Sequence, residues 1–277
     1  MKHGHERLPA TATAAVIVIV ALVSACNRSP NTTAGDGGMT ELASVATNDI
    51  AKNPELRSVA MTGGKTLYDA NCSSCHGADL KGVPDQHTPD LTDNEWLYIG
   101  DDADTGGVVH TAADVEKTIN LGIRAMPKVT NLASQQENDA KNFEIKQLAI
   151  MPAMGTPEYG LTDAEIADVA EYVLQLSGQE HNAEMAMRGK GIYDEKGSCY
   201  DCHDPEGIGD PSIGSTNLTK PSLYMYGSSR EAILASLKEG RAGLMPSFQG
   251  KLKPEEVKAL AVYVFSQGGP GSTTPAP

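Results

Sequence analysis

Two short cysteine motifs carry the clearest chemistry in this sequence. Each has two cysteines three positions apart and a histidine directly after the second; the motifs are Cys72-Ser73-Ser74-Cys75-His76 and Cys199-Tyr200-Asp201-Cys202-His203. Thiols at this spacing can each add to one of the two vinyl groups on one edge of a porphyrin, and the following imidazole can then ligate the iron from below. The motifs therefore predict two covalently bound haems c.

Three other uses of paired cysteines explain the pattern less well. A redox-active dithiol of the thioredoxin kind does not need a histidine after both copies of the motif. Structural zinc needs four ligands, and a disulfide needs neither the fixed spacing nor the histidine. The duplication of the complete motif, histidine included, favours haem attachment.

Methionines are the best candidates for the second axial ligand of each iron. The remaining histidines of the chain do not occupy matching places in the two halves, whereas Met151-Pro152 and Met245-Pro246 each precede the last helix of a half. A thioether ligand favours ferrous iron, and the proline stiffens the loop that presents the sulfur. We expect His76 and Met151 on the first iron, and His203 and Met245 on the second.

The methionine of the first haem has two competitors. Met126 follows a Gly-Ile-Arg segment much as Met245 follows Gly240-Arg241, so local spacing favours it. Met154 lies close to Met151 in the same loop. Met151 is preferred because its loop leads within a few residues into a capped helix, as the loop of Met245 does.

Arg124 follows Gly122-Ile123 and Arg241 follows Gly240, at equivalent places in the two halves. Guanidinium groups bind carboxylates through two hydrogen bonds, so both arginines are candidates for binding haem propionates. The alternative is an ordinary solvated surface charge.

An internal repeat divides the chain into two similar halves. Both contain, in the same order, a Gly-Lys-x-x-Tyr-type segment, the cysteine motif, an Asn/Asp-Leu-Thr segment, a Met-Pro loop and a final helix. The predicted boundaries are a first domain at 59–178, a second at 179–269 and a disordered tail at 270–277. Thr162 and Glu165 form a predicted capping box before one final helix, and Pro254 begins the other.

The N-terminus has the features of an export signal. Residues 1–25 carry basic residues, then an apolar run ending in Val-Ser-Ala, and Cys26 follows directly. This pattern predicts a lipoprotein whose mature chain begins at a lipidated Cys26, with residues 26–58 as a tether. An uncleaved signal anchor is the alternative, and both place the protein at the periplasmic face of a bacterial membrane. The net charge of −14 argues against nucleic acid as a partner.

Taken together, the motifs resemble those of the dihaem subunit of cbb3-type haem-copper oxidases. The resemblance runs from about residue 43 to 269 and includes the segments PDLTDNEWLY at 89–98, MPAMG at 151–155, TNLT at 216–219, Gly240-Arg241 and Met245-Pro246. It implies an all-α fold of two tandem class-I cytochrome c domains, each a small helical bundle around one haem. It also implies electrons that arrive from a soluble cytochrome c or a cytochrome bc complex and leave toward a catalytic subunit of the membrane complex.

Two features differ from that family. A lipobox-like signal stands where family members have a transmembrane helix, and the stretch from Pro127 to Ile150 is longer and more polar than expected. The second hypothesis is therefore a dihaem shuttle for another complex, such as a different oxidase, a nitric oxide reductase or a dehydrogenase. A dihaem peroxidase is a weaker alternative, because a His and a Met on both irons leave no open position for peroxide. The chain itself is thus expected to have no catalytic residues.

Overall fold

Helices make up nearly all of the regular structure. The computed structural model describes residues 38–98, 101–102, 107–108, 110–123 and 150–268. Its helices are α1 (Met39–Leu42), α2 (Thr47–Lys52), α3 (Pro54–Asn71), α4 (Ser73–His76), α5 (Ala112–Leu121), α6 (Asp163–Leu176), α7 (Ala183–Asp194), α8 (Tyr200–His203), α9 (Arg230–Glu239) and α10 (Pro254–Gln267). Two 3-10 turns (Pro84–Gln86, Pro221–Leu223) and an antiparallel hairpin of β1 (Asp101–Asp102) with β2 (Gly107–Val108) complete the described elements. The helical fold class is as predicted.

The sequence begins the long helices with recognisable caps. The Asn53 side chain accepts hydrogen bonds from the amides of Glu55 and Leu56, and Pro54 fills the first turn of α3. The predicted capping box of α6 is present, because Thr162 and Glu165 bind each other's backbone amides. These bonds satisfy amides that have no partner inside a helix.

The described helices pack as two units, one nested inside the other along the chain. In the outer unit, which comprises residues 38–98, 110–123 and 245–268, α3 and α5 pack on the C-terminal helix α10. In the inner unit, residues 150–241, α7 and α9 pack on α6. The first cysteine motif is thus combined with the last helix of the chain, rather than with α6 as the boundary at 178/179 implies. As sequence segments, 59–178 and 179–269 remain predictions.

Two glycines set the closest helix contacts. A Cβ atom at Gly64 of α3 would lie 2.4 Å from the carbonyl oxygen of Ala259 in α10, and one at Gly189 of α7 would lie 2.0 Å from that of Asp168 in α6. Both distances are far below van der Waals contact. Only glycine therefore allows the two backbones to approach this closely.

A pair of tyrosines accompanies each glycine contact. The rings of Tyr68 and Tyr263 lie 5.8 Å apart in the outer unit, and those of Tyr172 and Tyr193 lie 5.2 Å apart in the inner unit. Tyr68 and Tyr193, one turn beyond the glycines, are fully buried. Each donates its hydroxyl hydrogen to a backbone carbonyl just after a cysteine motif, that of Gly77 or Asp204. The tyrosines thus connect the helix pairs to the motifs.

Most of the described part of the predicted tether is folded, which corrects the sequence analysis. Leu42 of α1 and Ile50 of α2 are completely buried, in a cluster that includes Val262 of α10. The ammonium group of Lys258 donates hydrogen bonds to the carbonyls of Leu42, Ala43 and Val45, at and just beyond the end of α1. The apolar positions of these short helices are too few to show a clear periodicity, and a pattern of this length does not predict a helix.

A buried histidine lies in the core of the outer unit. The ring of His110 is 93% buried, stacks on Trp96 at 4.3 Å and meets the edge of Phe265 at 5.5 Å. Both ring nitrogens lack a hydrogen-bond partner, and Asp114 lies 3.9 Å from Nδ1. Burial lowers the pKa of His110 to about 4, and the nearby Asp114 carboxylate opposes the shift only in part. The ring is therefore neutral at pH 7.

We predict that Gly64→Ala and Gly189→Ala each lower the free energy of unfolding by about 2 kcal/mol or more, since the added methyl group forces two helix backbones apart. Gly191→Ala is the matched control, because it lies on α7 with nothing within 4 Å of an added Cβ. The control should be neutral or stabilising by about 1 kcal/mol, the difference in helix propensity. Equilibrium denaturation measures all three, and equal effects at Gly64 and Gly191 would refute the close approach.

We predict that the buried ring of His110 makes the free energy of unfolding fall in acid. Its folded pKa of about 4 lies below the usual 6.5, so the unfolded chain binds the proton more tightly. The stability is complete above pH 6.5 and is lost as the pH falls toward 4, by on the order of 3 kcal/mol. His110→Phe keeps the stacked ring and removes the titration, so its unfolding free energy should fall less between pH 6.5 and 4. If the unfolding free energies of the native chain and of His110→Phe fell in parallel with pH, this prediction would be wrong.

Candidate haem-binding sites

Each cysteine motif folds as a single helical turn. The amides of His76 and His203 donate to the carbonyls of Cys72 and Cys199 at 2.9 Å, which places each histidine one turn after the first cysteine of its motif. The four cysteines of the two motifs form no disulfide bonds. The first of each pair is half-buried and the second is exposed.

The same hydrogen bonds surround both turns. The amides of Gly82 and Gly209 donate to the carbonyls of His76 and His203 at 3.0 and 2.9 Å. The second cysteine of each motif accepts a hydrogen bond at its backbone carbonyl from a hydroxyl group. Thr88 donates to Cys75 at 2.6 Å, and Ser215 donates to Cys202 at 2.5 Å. The two motifs therefore sit in equivalent frames.

His203 has the orientation of an iron ligand, and both motif histidines have the charge state of one, although Nδ1 of His76 is buried without a hydrogen-bond partner. Nδ1 of His203 lies 3.0 Å from the carbonyl oxygen of Thr216, which leaves Nε2 for a metal. Burial lowers the pKa of both His76 and His203, partly opposed by the carbonyls of Pro89 and Thr216. Both rings are thus neutral imidazoles at pH 7, the form that binds iron.

The first cysteine of each pair is a protonated thiol. Burial raises the pKa of Cys72 and of Cys199 to about 11, and the second cysteine of each motif adds to the rise. Catalytic dithiols have the opposite property, because their attacking cysteine is a thiolate near neutral pH. This argues against the redox-dithiol alternative.

Each methionine lies in the unit of the other cysteine motif, not the one with which the sequence pairs it. Met245 packs against the outer-unit cluster that also contains Cys72, and Met151 packs against the inner-unit cluster that contains Cys199. Two isolated antiparallel bridges hold them: Met245 exchanges backbone hydrogen bonds with Ile123, and Met151 with Arg241. The described structure therefore favours Met245 near the first motif and Met151 near the second, the reverse of the sequence-based assignment.

The two other candidates for the methionine ligand of the first haem are Met154 and Met126. Met154 is 2% exposed and packs in the core of the inner unit, so it is a packing residue. Met126 lies outside the described residues, as do Arg124, Cys26 and the predicted insertion apart from Ile150.

Arg241 lies beside Met151 but is already engaged with protein groups. Its Nε donates to the hydroxyl of Ser236 at 3.1 Å and its Nη1 to the carboxylate of Glu239 at 2.9 Å. The guanidinium also lies 4.8 Å from the ring centre of Tyr226. The propionate role of Arg124 and Arg241 remains a prediction.

A contact between the units was not anticipated from sequence. The ring of His87 packs at a tilt on the ring of Tyr226, with 4.4 Å between the ring centres, and its Nδ1 lies 2.9 Å from the carbonyl oxygen of Met225. The amide of Tyr98 donates to the carbonyl of Pro211 at 2.6 Å. These contacts join the segment after the first motif to the segment after the second, and no repeat pattern marks them.

The residues present fit c-type haem. Each unit brings together two cysteines on one turn, a neutral imidazole and a half-buried thioether that packs on the same apolar cluster as the first cysteine. This is the donor set of a His/Met cytochrome c.

Comparison with known proteins gives a consistent result. A family model described as cytochrome c matches residues 61–177, and one described as cytochrome c oxidase, cbb3-type, subunit III matches residues 184–264. The chain is 35% identical over 230 residues to the cbb3-type cytochrome c oxidase subunit FixP of Azorhizobium caulinodans, an alignment that covers 83% of this chain and 67% of that subunit. It is 32% identical over 238 residues to subunit CcoP of Azospirillum brasilense, covering 83% and 70%.

These matches confirm the resemblance and the helical tandem cytochrome c fold predicted from sequence. The chain belongs to the family of cbb3-type cytochrome c oxidase subunits named FixP and CcoP.

Proposed function

We propose that this chain carries two covalent haems c and passes single electrons between them as the dihaem subunit of a cbb3-type oxidase. The observation that carries the proposal is the presence, in each packing unit, of a complete attachment turn and a methionine in one apolar cluster. A c-type haem held there supplies a one-electron couple. With a histidine and a methionine for each iron, the chain offers no open position to a substrate, so its role is transfer rather than catalysis.

The ligand assignment within this proposal is crossed. His76 and Met245 hold the first iron, and His203 and Met151 hold the second. The crossing is supported by the clusters around Cys72 and Cys199 and by the two backbone bridges that fix the methionine loops. Each haem is then bound by residues from both halves of the sequence repeat.

The contacts between the two units keep the distance between the haems constant. Two contacts join the loops that follow the two motifs. The ring of His87 packs on that of Tyr226, and Glu95 forms an ion pair with Lys220. Electron transfer between two bound haems would depend on their separation, and these contacts would help to keep that separation constant.

Attachment to a membrane is a further part of the proposal. None of the helices described here is long and apolar enough to span a bilayer. The sequence of residues 1–26 supports a lipid on Cys26, with an uncleaved signal anchor as the alternative. The donor is then a soluble cytochrome c or a cytochrome bc complex on the periplasmic side.

We predict that the crossed ligands can be assigned one haem at a time. Replacing Cys199 and Cys202 by Ala leaves only the first haem, whose weak near-infrared band from sulfur bound to ferric iron should disappear in Met245→Ala. Met151→Ala on the same background should retain the band. The opposite result, loss with Met151→Ala and retention with Met245→Ala, would restore the uncrossed assignment. Met154→Ala serves as the control, since its sulfur is a packing group.

The partner is tested by purifying the native chain from membranes in mild detergent. We expect about two c-type haems per chain, no peroxide consumption, and a haem-copper catalytic subunit in the same fraction, with oxygen uptake that depends on the chain. Purification with a different complex would support the shuttle hypothesis instead. The intact mass of the same preparation shows whether Cys26 is the acylated first residue.

A further inference from the structure

The two cysteine motifs begin loops that correspond residue for residue. We call residues 72–92 the first attachment loop and residues 199–219 the second attachment loop. Equivalent hydrogen bonds relate them throughout, because the amides of Leu91 and Leu218 donate to the carbonyls of Leu80 and Gly207. The backbone frame thus defines which side chains occupy the same place in each loop.

Side chains at three equivalent places differ in polarity. Tyr200, Ile208 and Ile213 in the second attachment loop are 40%, 53% and 43% exposed. Their counterparts in the first attachment loop are Ser73, Lys81 and Gln86. Among the described residues only six large apolar side chains are exposed, so half of them lie on this one loop. Exposed apolar groups gathered in one place mark an interaction surface.

Exposed carboxylates lie in and next to this loop, while the lysines on either side of it, Lys196 and Lys220, form ion pairs with Glu165 and Glu95. Glu195, Asp201 and Glu206 are exposed, and no ion pair of the described residues includes them. The counterpart of Asp201 in the first attachment loop is the neutral Ser74. A carboxylate rim around an apolar centre complements a partner with a lysine rim around its own apolar centre.

The first attachment loop faces a different environment. The ring of His87 packs on Tyr226 of the inner unit. The Gln86 side chain donates a hydrogen bond to the carbonyl of Ser74 within the same loop. Part of this loop is therefore used for contact between the two units. The second attachment loop also contacts the outer unit, since the amide of Tyr98 donates to the carbonyl of Pro211, but its Ile208 and Ile213 side chains remain exposed.

From these contrasts we infer that the second attachment loop is the surface at which the chain exchanges electrons with a basic redox protein. Tyr200, Ile208 and Ile213 form its apolar centre, and Asp201 and Glu206 belong to its acidic rim. The inference rests on the proposed function and adds to it the port and the chemistry of the partner. The haem attached at Cys199 and Cys202 is then the one that faces this partner.

The test measures reduction of the purified, haem-loaded full chain by a reduced lysine-rich cytochrome c in a stopped-flow instrument. Ile208→Gln with Ile213→Gln should lower the second-order rate by about fivefold or more, because apolar contact at the centre of an interface dominates its affinity. Asp201→Asn with Glu206→Gln should lower the rate at low salt and flatten its dependence on ionic strength. Met187→Gln is the control, a 72% exposed apolar residue on α7, and should leave the rate unchanged.

Haem content, spectra and reduction by dithionite separate this inference from the proposed function. If all variants bind two low-spin haems and both double variants keep the rate and salt dependence of the native chain, the port is wrong while the function stands. The inference is equally overturned if the apolar variants react normally with the cytochrome but no longer co-purify with a catalytic subunit, since the surface would then be a subunit contact.

Discussion

Two close contacts between helix backbones hold this fold together. At Gly64 against Ala259 and at Gly189 against Asp168, a side chain as small as a methyl group does not fit. Each contact fixes the helix that leads into a cysteine motif against a helix that follows a methionine loop. The position of both candidate ligands relative to the thiols therefore depends on these two glycines, although neither touches a haem site.

The amino-acid sequence predicts the chemistry better than the connectivity. The attachment motifs, the caps at Thr162 and Pro254 and the family were all readable, because each depends on residues close together in the chain. The crossed packing was not readable, since the two halves present the same features: Tyr172 and Tyr263 occupy equivalent places, and either can face Tyr68 equally well by type. A repeat shows which elements are alike, and only the packing shows which copy each element contacts.

Similar backbones with different surfaces suggest how the two halves divide their work. The backbone hydrogen bonds of the two attachment turns are equivalent, although only the His203 ring has a hydrogen-bond partner at Nδ1. Differences are concentrated on the outer side chains, where His87 contacts the neighbouring unit and Ile208 faces solvent. A duplicated electron carrier can in this way change the outer side chains of one copy while both copies keep the same backbone around the attachment motif.

The nested packing also dictates an order of assembly during synthesis. The inner unit uses one continuous stretch from Met151 to Arg241, and α6 and α7 are neighbours in the chain, so it can fold as soon as that stretch has been made. The outer unit has its first cysteine motif near the beginning and its partner helix α10 near the end. In a chain that emerges N-terminus first, the first motif thus waits longest for its core, and an enzyme that attaches haem to Cys72 and Cys75 would meet an unfinished, accessible segment. A chain truncated before α10 keeps the second site and never completes the first.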